Sequence, residues 1–146
     1  MKYSEFVLRE LTAGRLTKPQ ALQLLRYAQA PDASAAVLHP LVHRNTSDFA
    51  EQRFTTAFSG REFFLSDHVM AGRRMLPGVV CLEMARAAVV HSLGESDPAI
   101  ELRDVTWLRP VVADDGVALD IVLAAQDDGA IGFDVCAAGS ETVHVQ

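Results

Sequence analysis

Five residues near the middle of the chain have the types and spacing for proton transfer beside a carbonyl group: His68, Gly72, Pro77, Gly78 and Glu83. An imidazole titrates near neutral pH, so a histidine on a loop can take a proton where other side chains stay in one state. Gly72 permits a tight loop, and Pro77 sets the start of a helix that Gly78 opens. The Gly78 N–H then lies at the positive end of the helix dipole, which favours negative charge on a nearby oxygen. Glu83 adds a carboxyl on the same helix, with Arg86 within reach at i, i+3. Each also has a purely structural reading: His68 as a hydrogen-bonded residue beside Asp67, Gly78 as a helix start, Glu83 as half of an ion pair. The remaining histidines, His39, His43, His91 and His144, show no metal-ligand spacing, and Pro40 prevents a helical His39/His43 pair.

These residues need elements to hold them. Val79 to Leu93 is apolar or small at nearly every position, which predicts a helix buried on all sides, about 22 Å long at 1.5 Å per residue. Alternation predicts strands before it, with Phe54, Thr56 and Phe58 in one and Phe63 with Leu65 in a second beyond a Ser59-Gly60 turn. After the helix the same period recurs at Ile100/Leu102, Val105/Trp107, Leu119/Ile121/Leu123, Ile131/Phe133/Val135 and Val143/Val145, with Asp127-Asp128-Gly129 as a hairpin turn. A buried helix with antiparallel strands on both sides of it in sequence is an α+β, hotdog-like arrangement, a sheet wrapped around a helix. Residues 3 to 29 read as a helical hairpin: Ser4 caps the first helix, Gly14 stops it, and Thr17 with Gln20 forms a capping box for the second. Ala30 to Ala36 is linker-like. The predicted division is 1–38 for hairpin and linker and 39–146 for the hotdog domain.

Composition narrows the class. The 146 residues are 49 % hydrophobic and carry a formal charge of −6, a globular balance with no electrostatic footprint for nucleic acid or an anionic membrane. The apolar run Leu76–Leu82 is far shorter than the roughly 18 residues of a membrane helix. No signal-peptide pattern opens the chain, and Cys81 and Cys136 form neither a zinc motif nor a disulfide framework, so a cytoplasmic location is expected.

The pattern HxxxGxxxxP at His68, Gly72 and Pro77 resembles the active-site motif of dehydratase domains in modular polyketide synthases. His39-Pro40-Leu41 resembles the start of such a domain, Leu82-Glu83-Met84-Ala85 its central helix and Trp107-Leu108-Arg109-Pro110-Val111 the strand after it. The resemblance covers residues 39 to 146 and implies the first hotdog half of a double-hotdog dehydratase. It implies loss of water from a β-hydroxyacyl thioester to give an α,β-unsaturated thioester. His68 would be the base, Gly78 the N–H that polarises the carbonyl, and Gly72 and Pro77 would shape the substrate-binding loop. The substrate would ride on the phosphopantetheine arm of an acyl carrier protein, with no metal or other bound cofactor.

In that family the acid is an aspartate in a DxxxQ or DxxxH motif on the second half's helix, and none of the aspartates from Asp97 to Asp134, which lie in predicted turns or strands, begins such a motif. The expected partners are therefore a second dehydratase half or neighbouring synthase subunit as well as the carrier. Two alternatives follow. Pro77 to Glu83 resembles the PGxxxxE segment of single-hotdog dehydratases of fatty-acid synthesis, so a homodimer would set Glu83 opposite His68, with burial raising its pKa. Otherwise the chain is a non-catalytic docking module of a split dehydratase.

Overall fold

The computed structural model describes residues 9–15, 17, 18, 21, 37–94, 96 and 98–146. The chain divides into two compact units, Met1–Ala36 and Val37–Gln146. In the first, residues 9–12 are helical, Gly14 takes a φ of +70° just beyond them, and Arg15 grips the Glu10 carboxylate at 2.6 and 2.8 Å. Most of the helical hairpin and the linker expected at 3–36 lie outside the described residues.

The second unit holds a five-stranded antiparallel sheet in the order β1 (Arg44–Asn45), β2 (Gln52–Phe58), β5 (Val117–Ala125), β6 (Ile131–Ala137), β7 (Val143–Val145). Between β2 and β5 in sequence come the short helix α1 (Phe63–Ser66), a two-stranded hairpin of β3 (Val69–Met70) and β4 (Arg73–Arg74), and the long helix α2 (Gly78–Leu93). The period of two does the sorting: Phe54, Thr56 and Phe58 of β2 and Leu119, Ile121 and Leu123 of β5 are buried, with Phe54 paired to Ile121 and Ile121 to Val135. Cys81, Met84, Ala85, Ala87 and Ala88 of α2 are buried, and the small side chains among them let helix and sheet approach closely. Gly94, at φ +67°, ends the helix by returning its N–H to the Val90 carbonyl at 3.1 Å. The hotdog arrangement is as the alternation predicted, and Gly129 at φ +84° makes the turn between β5 and β6.

On the β2–β5 pair Asp120 is buried and fully engaged. It accepts hydrogen bonds from Thr55 Oγ1 at 2.7 Å, Arg53 at 2.6 Å and the Gly139 N–H at 3.1 Å. Burial alone would raise its carboxyl, but these donors outweigh that and hold it below the usual range.

Three expectations change. Phe63 and Leu65 belong to a helical turn, not a strand, because the Glu62 side chain collects the N–H of Ser59 and Gly60 while its carbonyl accepts from Leu65 and Ser66. Ile100 and Leu102 join no strand, and Trp107 makes a single bridge to Val145. Segment 105–113 instead links two edges: Thr106 and Gln146 exchange backbone bonds at one end, and Leu76 and Ala113 bond to Val111 and Arg74 at the other. Finally, α2 is not buried all round within this chain. The sheet covers one face, and Val79 on another is 69 % exposed.

Candidate active site

His68 is held from both sides. Its N–H points back to the Leu65 carbonyl of α1 at 3.4 Å, and its own carbonyl accepts the Met75 N–H at 3.0 Å. Ring atom Nδ1 lies 2.7 Å from the Met75 carbonyl oxygen. A carbonyl only accepts, so Nδ1 carries a proton, and in the neutral ring Nε2 then holds the lone pair. The β3–β4 hairpin makes this possible by turning through Ala71 and Gly72, at φ +51° and +77°, so that Met75 returns to the histidine that precedes the hairpin. Two successive positive φ angles are those of a primed two-residue turn.

Helix α2 starts beside this ring. Pro77 occupies the N-cap with no side-chain cap bond, so the first N–H groups of α2 have no partner from a cap. Gly78 has a local reason to be glycine. A Cβ there would lie 2.6 Å from Trp107 Nε1, and the same indole N–H donates to the Gly78 carbonyl at 3.3 Å. His68, Met70, Met75, Gly78, Cys81 and Trp107 line one cleft of about 450 Å³, together with Arg109 and Pro110. Burial pushes the Cys81 thiol up to about 11, which keeps it protonated and apolar in character.

Glu83 lies elsewhere. With His39, Phe63, Phe64, Pro77 and Val79 it lines a second cleft of about 510 Å³. Both Glu83 oxygens are 2.7 Å from the Arg86 guanidinium, and Oε1 is 3.4 Å from His39 Nε2. The His39 Nδ1 accepts the Leu41 N–H at 3.1 Å, so Nε2 carries the proton that faces Glu83. The expected rise in the Glu83 pKa is reversed: hydrogen bonds from Arg86 hold the carboxyl below its usual range against the opposing effect of burial. Burial, in turn, lowers His39, with the Glu83 charge only partly opposing it.

Of the five residues singled out, His68 and Gly78 share one cleft, Pro77 and Glu83 line the other, and Gly72 sits in the hairpin turn with open space around it. Trp107 and the Met75 carbonyl were not anticipated in the site. The first could have been suspected as the chain's single tryptophan. The second is a backbone atom that no residue type announces. Among the described residues no group of His, Cys, Asp and Glu could hold a metal ion, and no helix is long and apolar enough to cross a membrane.

A hotdog sheet, a histidine fixed beside the uncapped start of its central helix, and an apolar cleft thus come together in one place. The family model for the polyketide synthase dehydratase domain matches residues 39–138. Polyketide synthase PksM of Bacillus subtilis is 45 % identical over 119 residues, covering 75 % of this chain and 3 % of its own length. Polyketide synthase ThaG of Burkholderia thailandensis is 48 % identical over 101 residues, 67 % of this chain and 2 % of its own. A crystal structure of a trans-AT PKS dehydratase domain from Brevibacillus brevis superposes with a TM-score of 0.64 at 36 % identity, covering 77 % of this chain and 42 % of that one. The dehydratase domain of RzxB from Pseudomonas fluorescens gives 0.62 at 32 %, covering 75 % and 43 %. This chain belongs to the polyketide synthase dehydratase domain family. It spans less than half of those solved dehydratase chains and a few per cent of the synthases.

Proposed function

We propose that the hotdog unit is the histidine-bearing half of a dehydratase acting on β-hydroxyacyl thioesters carried on the phosphopantetheine arm of an acyl carrier protein. Elimination needs a base for the α-proton, an acid for the departing hydroxyl and a donor for charge on the thioester oxygen. His68 Nε2 takes the α-proton while the Met75 carbonyl stabilises the proton already on Nδ1. The electron pair moves onto the thioester oxygen, which the Gly78 N–H and the α2 dipole stabilise. It then returns to form the Cα–Cβ double bond as the β-hydroxyl leaves with a proton from the acid, giving water and an α,β-unsaturated thioester. The acid comes from a second dehydratase half, on the same polypeptide or another, as the family resemblance implies. The observation that carries this reading is the His68–Met75 bond, which sets the neutral ring's lone pair on Nε2, with His68 lining the cleft that Gly78 shares.

Glu83 is not assigned the acid role. A carboxyl held low by a bidentate arginine is a poor proton donor near neutral pH. The exposed apolar residues Val79 and Phe63 beside the second cleft favour contact with another protein surface, which supports the second half as partner.

The test incubates a β-hydroxyacyl-pantetheine thioester with the full chain, alone and with a polypeptide carrying the aspartate-bearing half, and follows loss of water by mass spectrometry. Turnover in the mixture that disappears in His68→Ala supports the proposal. Binding between the two polypeptides without turnover in any mixture would leave only a docking role. Turnover by the chain alone that vanishes in Glu83→Gln would point to the homodimer.

A further inference from the structure

Trp107 takes no part in the elimination as written, yet it is the side chain most closely engaged with Gly78. Its backbone is fixed to the sheet edge. Trp107 bridges to Val145, and its neighbours Thr106 and Leu108 bond to Gln146 and His144 at 2.7 and 2.8 Å. From that anchorage the indole N–H reaches the Gly78 carbonyl at 3.3 Å, and the ring fills the space a Cβ on Gly78 would need, with Nε1, Cδ1 and Cε2 at 2.6, 3.2 and 3.3 Å from that position. The ring is nevertheless half exposed and lines the same cleft as His68. A buried packing residue would show neither feature. The N-cap offers no side-chain bond to steady the start of α2, and helix ends without caps fray.

We propose that Trp107 is a positioning residue for the Gly78 N–H: it ties the first residue of α2 to the sheet edge and so fixes the carbonyl-polarising donor relative to His68. This rests on the dehydratase reading for the role of Gly78. A donor to a developing oxyanion is effective only when held in place beforehand, and a misplacement of about 1 Å is costly. The close fit also accounts for glycine at position 78 independently of any helix propensity.

The chain's one tryptophan makes the contact directly observable. In the full chain without ligand, Gly78→Ala is expected to push the indole outward, shifting Trp107 emission to longer wavelength and raising its quenching by acrylamide. Emission and quenching identical to wild type in a folded Gly78→Ala would overturn the contact. Should that variant not fold, Trp107→Phe, which removes the indole N–H but keeps an aromatic ring, carries the test. With crotonyl-pantetheine isotope-labelled at the thioester carbonyl, infrared difference spectra of the wild type should show a carbonyl stretch displaced to lower frequency. In folded Trp107→Phe the band should move back towards that of the free thioester. An equally displaced band in both proteins overturns the positioning role while leaving Gly78 as donor. No displaced band in the wild type removes the donor role of Gly78 and this inference with it. Helix stabilisation alone predicts a change in unfolding midpoint with no movement of the band.

Discussion

Two clefts flank the first turns of the same helix, and they treat their polar groups in opposite ways. Around Glu83 the polar atoms are consumed in pairs: Arg86 takes both carboxylate oxygens, and His39 turns its remaining N–H towards them. Around His68 one ring nitrogen is satisfied by the Met75 carbonyl and the other keeps its lone pair beside an uncapped helix start. The first cleft leaves polar groups unmatched, and the second matches its own. An imidazole and the start of α2 occur at both clefts, so the presence of a histidine alone does not separate them.

The sharpest way to break this contrast is His68→Ala, which should lower turnover by about 10² to 10⁴ while leaving the unfolding midpoint nearly unchanged. Steady-state rates with the second half present, set beside a urea titration, check both parts. Next in size is Arg53→Ala, a control remote from both clefts. It removes a partner from buried Asp120 and should cost about 3 kcal/mol of stability, read in the same titration. Gly72→Val should follow. Its φ of +77° penalises a β-branched residue by about 1 to 2 kcal/mol, and the loss should come with reduced turnover because the same turn returns Met75 to His68.

The smallest effect belongs to the second cleft. Glu83→Gln should change turnover less than about threefold and stability by under about 1 kcal/mol, since the pair is more than a third exposed. Its signature is in the pH dependence. The Glu83 carboxyl titrates lower in the folded chain than its usual 4.5, so its contribution is present above pH 4.5 and is lost as pH falls through the folded value. His39 also titrates lower when folded, so below its usual 6.5 the unfolded chain takes up the proton first and stability falls. Urea midpoints between pH 7 and 3.5 should therefore decline in two stages. Glu83→Gln should shrink only the more acidic stage, to which Asp120 also contributes, and an acidic stage unchanged in that variant would contradict the pairing.

Much of this was legible in the sequence where periodicity and local chemistry agree. The helix expected to open at Gly78 and run to Leu93 does so, and the alternating runs of β2, β5, β6 and β7 bury Phe54, Phe58, Leu119, Ile121, Leu123, Val135 and Val145 while leaving Ile131 exposed. His68 and Gly78 were readable because motif spacing fixes a loop and a helix start. The helix at Phe63–Ser66 was not, since its cause is the Glu62 carboxylate gathering backbone N–H groups, which overrides an i, i+2 pattern of apolar residues. Neither was the direction of the Glu83 pKa. Burial and ion pairing act oppositely on it, and only geometry shows that Arg86 reaches both oxygens. Full burial of α2 was overstated because an all-round apolar helix says what must be covered without saying which chain supplies the cover.

The irregular run from residue 105 to 113 looks at first like a strand that failed. Pro110 in its middle has no N–H to give, and its regular pairing is confined to single bridges at Trp107 and Val112. A complete strand there would have seamed β7 to β4 with an unbroken ladder and drawn the wall tight against α2. The missing rungs fall where Trp107, Arg109 and Pro110 line the same cleft as His68, so side chains, not a closed backbone ladder, form that part of its wall.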